Sequence, residues 1–450
     1  MLQKIRQSIW REVRLHMHAS RAYTDAQLRS SEQACTVADG AIARIDIAHL
    51  PANRPTEDYY AAAKCLSSEA FLFGVFDGHG GDACSRYIST RLFDYICRSS
   101  LKQHIVSNLP AKVNLQWYFT NGDLSDEIYR KIHMENIDRF LEEVMSDVTI
   151  KTMRRALEVS FSACDDDLSK NALSAENDEL SKRFAGIVTA GSCAVTAHIR
   201  GPDLHVANLG DSAAVLGLRS QGVISAIPLS KLHCVDNSDE VHRIQTAHPP
   251  NEIRNLLLGG RLFGELFPLR AFGDARYKWS AAQQKKVLGV AGNFLPNGLN
   301  TPPYLSSLPE VLYRRLTPSD HFLILASDGL WDCLDADTVV QLVFDHTLGM
   351  QTLIPYKPFT GTRLSQIHED LKQRLDGTSK KPLDENSATH LLRHALGGAG
   401  EVSTQYLRLI EMLQLPPGVA RKYRDDITII VIHFDEKYLQ KMEIHEPPKG

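Results

Sequence analysis

Short apolar runs alternate with polar turns along most of the chain, and they predict both strands and helices. Phe71 to Phe76 is apolar throughout and stops at Asp77-Gly78-His79-Gly80-Gly81, which predicts a buried strand ending in a tight turn. A helical stretch is expected from about Ala83 to Leu101. Over residues 124–170, Ile128, Ile132, Ile137, Phe140, Leu141 and Val144 recur at the i, i+3, i+4 spacing of long helices. Strand patterning returns from Thr189 to Ile199, and Asp203 to Gly217 predicts a hairpin folded around Gly210-Asp211. Phe322 to Ala326 and Ile427 to Phe434 predict two more strands, rich in β-branched and aromatic residues. Two loop-rich stretches run from about Asn293 to Pro309 and from about Gly349 to Asn386. Strand patterning resumes beyond each. One α+β domain over residues 39–440, with insertions near 280–310 and 349–386, is therefore expected, followed by a polar, frayed tail at 441–450.

The first thirty residues differ from the rest. They hold Lys4, Arg6, Arg11, Arg14, Arg21 and Arg29 against Glu12 and Asp25, while Leu2, Ile5, Ile9, Trp10, Val13 and Met17 recur at helical spacing. Residues 1–38 read as a mitochondrial transit-like segment with an N-terminal extension. An ordinary basic surface helix and a membrane-surface helix are the alternatives. The whole chain carries a net charge of -4, so no chain-wide basic field is available to hold nucleic acid. No run approaches the length of a transmembrane helix. The eight cysteines contain no C-x-x-C pair, which argues against a zinc ribbon or redox motif.

Acidic residues mark the strand ends. Asp77 follows one strand, Asp211 sits in the expected hairpin turn, Asp328 follows another strand, and Asp425-Asp426 precedes the last. A single Asp-Gly at a strand end is usually a turn residue capping local amides. Several on buried strands would gather at one rim of a sheet and repel one another unless cations neutralised them. Hard divalent ions with oxygen ligands fit that need, and without H-E-x-x-H or a cysteine cluster catalytic zinc is not expected.

Five motifs then fall in order: Phe76-Asp77-Gly78-His79-Gly80-Gly81, Leu209-Gly210-Asp211-Ser212, Arg270-Ala271-Phe272-Gly273-Asp274, Ala326-Ser327-Asp328-Gly329-Leu330-Trp331-Asp332 and Arg424-Asp425-Asp426-Ile427-Thr428. Together they resemble the metal-dependent (type 2C) Ser/Thr protein phosphatases, from about Leu50 to Phe434. Leu50-Pro51-Ala52-Asn53, Arg276-Tyr277-Lys278-Trp279, Thr301-Pro302-Pro303-Tyr304-Leu305 and Ala388-Thr389-His390-Leu391-Leu392-Arg393-His394-Ala395 are similar to the pyruvate dehydrogenase phosphatase branch of that family. The resemblance implies a four-layer α-β-β-α sandwich of two antiparallel sheets flanked by helices. It implies two Mg²⁺ or Mn²⁺ per chain, held by Glu57, Asp77, the Gly78 carbonyl, Asp328 and Asp425, with Asp211 and Asp332 at a possible third site.

A water bridging two cations becomes a hydroxide near neutral pH and attacks phosphorus in line. His79 is the candidate general acid for the leaving serine, or else a histidine that only hydrogen-bonds a metal ligand. Many family members carry an arginine four residues before the metal glutamate; here that position is Asn53, so Asn53 and Arg54 are the phosphate-binding candidates. Ala213 and Leu232-His233 also depart from the family pattern. The branch implies phosphorylated pyruvate dehydrogenase E1 as substrate, docking on the lipoyl domain of E2 with Ca²⁺ at the interface, a regulatory subunit, and the mitochondrial matrix. The stretch Asn293–Pro309 is a candidate docking surface. A phosphatase with another phosphoprotein substrate, or a pseudophosphatase scaffold, are the alternatives.

Overall fold

The computed structural model describes residues 22–101, 115–174, 178–289, 300–348, 358, 361–375, 383–398, 402–416 and 418–444. Residues 1–21, most of the transit-like segment, lie outside that set. The strands are β1 Gln33–Asp39, β2 Ile42–Leu50, β3 Tyr59–Cys65, β4 Ala70–His79, β5 Leu115–Thr120, β6 Gly191–Arg200, β7 Asp203–Leu209, β8 Ala213–Ser220 and β9 Val223–Pro228. They continue with β10 Leu257–Leu258, β11 Arg261–Leu262, β12 Phe272–Gly273, β13 Glu310–Arg315, β14 Asp320–Ala326 and β15 Ile427–Phe434. One antiparallel sheet runs β1-β2-β15-β14-β8-β9; the other runs β13-β7-β6-β4-β3-β5, with β12 beside β6.

The strands are apolar on both faces because both faces are covered. Ile430 and Ile432 of β15, Leu323 and Leu325 of β14, and Ile45 and Ile47 of β2 meet Phe73, Val75, Val195 and Val206 between the sheets. The alternate residues Ile427, Ile429, Val431, Phe322 and Ile324 point outward. They are buried under the helices Ala336–Thr347, Ser387–Gly397 and Val402–Leu413. Leu72 and Phe76 face the opposite layer, built from Ala83–Ser89, Leu92–Leu101, Met153–Ser174 and Asp178–Thr189. Each fully buried aliphatic side chain contributes roughly 1.5–3 kcal/mol. The result is the expected α-β-β-α sandwich, with a satellite core around Ile244, Leu256 and Tyr304. Among the described residues no helix is long and apolar enough to cross a membrane.

Several local readings change. Residues 203–217 are not a hairpin: Leu209 pairs with Ala194 in one sheet, and Ala213 pairs with Ala326 in the other. The Gly210-Asp211-Ser212 turn carries the chain between sheets. Strands buried on both faces give the same pattern in either topology, so periodicity could not separate them. Gly210 has φ +107°, and a Cβ there would meet Cys193 Sγ at 2.2 Å. Asp77 does not follow its strand; β4 continues through His79, paired with Gly191. The stretch Ala83–Leu101 is two helices, because the Ser89 and Thr90 hydroxyls turn back to the carbonyls of Arg86 and Tyr87. The loop-rich stretch Gly349–Asn386 contains the helix Leu364–Leu375, and residues Glu436–Ile444 beyond β15 are helical.

Residues 22–28 are helical and belong to the packed structure. Leu28 is fully buried, Asp25 takes a 2.6 Å contact from Arg393, and Arg29 pairs with Asp384. Of the candidate docking stretch, residues 293–299 lie outside the described set, while Tyr304 and Leu305 are buried in the satellite core.

Candidate active site

Pairing register brings the acids of both sheets to one rim. Ala326, closing β14, pairs with Ala213, which opens β8, and with Ile429 of β15. Ile427, opening β15, pairs with Leu50, which closes β2. Asp328, Asp211 and Asp425 lie just outside those positions. In the other sheet Tyr59 opens β3 opposite Phe76, which sets Glu57 and Asp58 beside Asp77. Hydrogen bonds join the rims: among them, Ser327 Oγ donates to Asp58 Oδ2 at 2.7 Å, and the Asp328 amide donates to Asp77 Oδ2 at 3.4 Å. Gly78 donates its amide to the Glu57 carbonyl at 3.1 Å, and a Cβ on Gly78 would sit 2.4 Å from that oxygen.

The carboxylates resist ionisation. Burial, then repulsion from Asp328, Asp58, Asp211 and Asp425, pushes the Asp77 carboxyl well above its usual range. Burial with Asp211, Asp425, Asp58 and Asp332 nearby raises Asp328 to about 8. Glu57 and Asp332 are raised too, first by burial. Asp328 Oδ1 is buried with no hydrogen-bond partner among the described residues. No three such side chains there converge into a ready-made metal cage. The donor set is nonetheless all oxygen, mutually repelling and incompletely satisfied, which fits hard divalent cations and not zinc.

The two adjacent acids before β15 have different work. Asp426 accepts from the amides of Ala52, Asn53 (2.9 Å) and Glu57 (2.8 Å), which holds its carboxyl below the usual range against the effect of burial. It pins the loop that carries Glu57. Asp425 keeps one oxygen on the Asp426 amide and the other in contact with Arg421. Glu57 itself takes the Gly81 amide at 2.6 Å and the Asn53 side-chain amide at 2.7 Å. Asn53 therefore supports the glutamate. Arg54 is exposed.

His79 Nε2 lies 2.7 Å from Asp274 Oδ2. Burial disfavours the imidazolium, but the Asp274 charge and hydrogen bond outweigh it, and the His79 pKa is raised. The His79 side chain keeps 27% exposure against 7% for Asp274, so the histidine faces the rim and the aspartate backs it.

Four residues at this site escape the sequence reading. Asp58, raised by burial to about 8, accepts from Ser327 and Thr428 hydroxyls at 2.7 Å each. Asp426 and Asp274 lie inside motifs already singled out, but no spacing rule distinguishes a ligand from its support. Arg421 lies one turn before Asp425 and carries no motif signal.

A sequence profile described as protein phosphatase 2C matches residues 115–358. The chain is 38% identical over 418 residues to the Bos taurus protein named [Pyruvate dehydrogenase [acetyl-transferring]]-phosphatase 1, mitochondrial, covering 87% of this chain and 77% of that one. It is 34% identical over 452 residues to the Homo sapiens phosphatase 2 of the same name, covering 94% and 84%. Among solved structures, a serine-threonine phosphatase 2C from Toxoplasma gondii aligns with TM-score 0.47 and 19% identity, over 90% of this chain and 99% of that one.

Proposed function

The chain belongs to the protein phosphatase 2C family, and from that premise we propose that it removes phosphate from phosphoserine on the E1 component of the pyruvate dehydrogenase complex, in the mitochondrial matrix. The family is metal-dependent. The observation that carries the reading is that Glu57, Asp77, Asp328 and Asp425 lie at one rim, with Asp328 Oδ1 unpartnered among the described residues and the His79–Asp274 pair beside them. Those four side chains, with the Gly78 carbonyl, would hold two Mg²⁺ or Mn²⁺; Asp211 and Asp332 would serve a weaker third. Bound there, such ions activate water and offset charge on the phosphoryl oxygens.

The chain's own residues do the rest. The leaving serine oxygen is strongly basic and needs a proton. His79 Nε2 is engaged by Asp274, so Nδ1 is the nitrogen left to hand one over. Asp274 favours the protonated imidazole and orients it. Asp426 and Asn53 hold Glu57 in place from behind. The substrate reading draws on the two pyruvate dehydrogenase phosphatases matched over most of their length. Docking on the E2 lipoyl domain with Ca²⁺ at the interface, and a regulatory subunit, belong to the same reading.

The test is phosphate release from phosphorylated E1 by the full chain with Mg²⁺ or Mn²⁺, beside Asp77→Asn. Metal-dependent release abolished by the substitution is the expected result. Cleavage of a general phosphopeptide but not of E1 would remove the substrate assignment and leave the family chemistry. Turnover of neither substrate by a folded, metal-binding chain would sink the enzyme reading.

A further inference from the structure

A phosphomonoester brings close to two negative charges, and this rim is already crowded with carboxylates. Divalent ions would offset much of that, but an oriented donor of positive charge is still needed to hold the phosphoryl oxygens. Of the two residues singled out from sequence, neither brings a charged group into contact with the rim among the described residues. Asn53 points its amide at carboxylates, Glu57 Oε2 at 2.7 Å and Asp426 Oδ2 at 3.5 Å, and it has no charge. Arg54 is exposed and makes no ion pair among the described residues. Arg424 lies close by, but its guanidinium donates to the carbonyls of Leu50, Pro51 and Asp425.

Arg421 is placed differently. It stands in the single-turn 3-10 helix Ala420–Lys422, one turn before Asp425. Its Nη1 contacts Asp425 Oδ2, and the side chain remains 48% exposed. It feels the charges of Asp425, Asp328 and Glu57, three of the four side chains at the centre of the rim. The contact engages one edge of a guanidinium whose five donors form a rigid fork suited to phosphate. Resting on the phosphatase reading above, we propose that Arg421, rather than Asn53 or Arg54, grips the phosphoryl group of the substrate.

The rival explanation is that Arg421 is only a counter-ion for Asp425. The experiment separates them with Arg421→Ala, Arg421→Lys and Arg54→Ala in the full chain. KM for a phosphoserine peptide, competitive inhibition by orthophosphate, and Mn²⁺ binding by calorimetry are measured for each. Loss of a charge-assisted phosphate contact should raise KM and weaken orthophosphate inhibition by roughly 10- to 100-fold in Arg421→Ala. Arg421→Lys should fall between, because it keeps the charge and loses the fork. Mn²⁺ affinity should hold or tighten, since a competing cation has been removed. Unchanged KM and orthophosphate inhibition with tighter Mn²⁺ binding would reduce Arg421 to a counter-ion and overturn the proposal. So would loss of Mn²⁺ binding, or a rise in KM confined to Arg54→Ala. If the unmodified chain binds Mn²⁺ but cleaves no phosphopeptide, the phosphatase reading fails on its own. Arg421 is then judged by calorimetric orthophosphate binding, which must be present in the unmodified chain and lost in Arg421→Ala.

Discussion

Asp328→Asn should make the protein more stable without divalent cations and leave it unresponsive to them. Asp328 sits just beyond β14 with Asp211, Asp425, Asp58 and Asp332 nearby, and its Oδ1 has no partner among the described residues. Burial and those charges raise its carboxyl from 3.8 to about 8. The sign follows directly. A raised carboxyl pKa means the folded state disfavours the ionised form, so stability falls as pH rises from 3.8 towards 8. At 1.36 kcal/mol per pKa unit, ionising Asp328 costs on the order of 5 kcal/mol at the upper end. Asparagine keeps the shape and removes the charge, but its amide must still be desolvated. Recovery of about half, roughly 3 kcal/mol, is the expected gain. For a chain of this length a degree of melting temperature corresponds to about 1 kcal/mol, so the chelated variant should melt roughly 3 °C higher. Mn²⁺ at a hundred times its dissociation constant should stabilise the unmodified chain by about 2.7 kcal/mol, and the variant by far less. Thermal melts near pH 8, with chelator and with Mn²⁺, measure both shifts. A lower melting temperature in chelator, or an undiminished Mn²⁺ response, would refute the idea that Asp328 is strained for a cation.

Asp274→Asn should lower kcat on a phosphoserine peptide roughly 100-fold with KM and Mn²⁺ affinity nearly unchanged, because it acts through His79. The loss should largely vanish with p-nitrophenyl phosphate, whose leaving group needs no proton; an equal loss on both substrates would contradict the proton-donor role. Burial lowers both His49 and His233 to about 4, and His233 Nδ1 must stay unprotonated to accept the Gly210 amide at 3.0 Å. The unfolded chain therefore binds more protons than the folded one between about pH 6.5 and 4, and stability should fall as pH drops through that window. Each histidine contributes up to about 3 kcal/mol to that fall, and a pH series of denaturant melts on His233→Gln should show a shallower slope. Arg393→Met leaves the buried Asp384 with only the half-exposed Arg29, so a loss of about 3–5 kcal/mol and proteolytic cutting within residues 22–31 are expected.

The mixture of strands and helices in one domain was legible because the strands are short, β-branched and bounded by turn residues; the two-sheet sandwich followed only from the resemblance carried by the five ordered motifs. The failures share one cause. Periodicity reports which faces are buried, not what buries them. Asp203–Leu209 and Ala213–Ser220 look like adjacent strands of one sheet, yet Gly210-Asp211-Ser212 sends them to opposite sheets. The site was legible as a set of acids and illegible as a division of labour. Asp425 and Asp426 are neighbours of identical chemistry, and only the folded Ala52–Glu57 loop tells them apart. Arg421 was invisible because a lone arginine in a polar stretch has no spacing to betray it.

That division of labour gives the rim its logic. Asp426, whose two oxygens take three backbone amides, and Asp58, whose Oδ2 takes the Ser327 and Thr428 hydroxyls, hold the architecture. At the centre, Asp77 is crowded by like charges, and Asp328 leaves Oδ1 without a hydrogen-bond partner among the described residues. The first group makes the second possible, because mutual repulsion would otherwise spread the strand ends apart. Two sheets are needed for this. Glu57 and Asp77 come from one, Asp328 and Asp425 from the other, and the Ser327–Asp58 and Asp328–Asp77 bonds fix the distance between them. A site assembled within a single sheet would place its acids along one line. Here they face each other across the sandwich, so a cation held by acids of both sheets would make its binding part of what holds the sheets together.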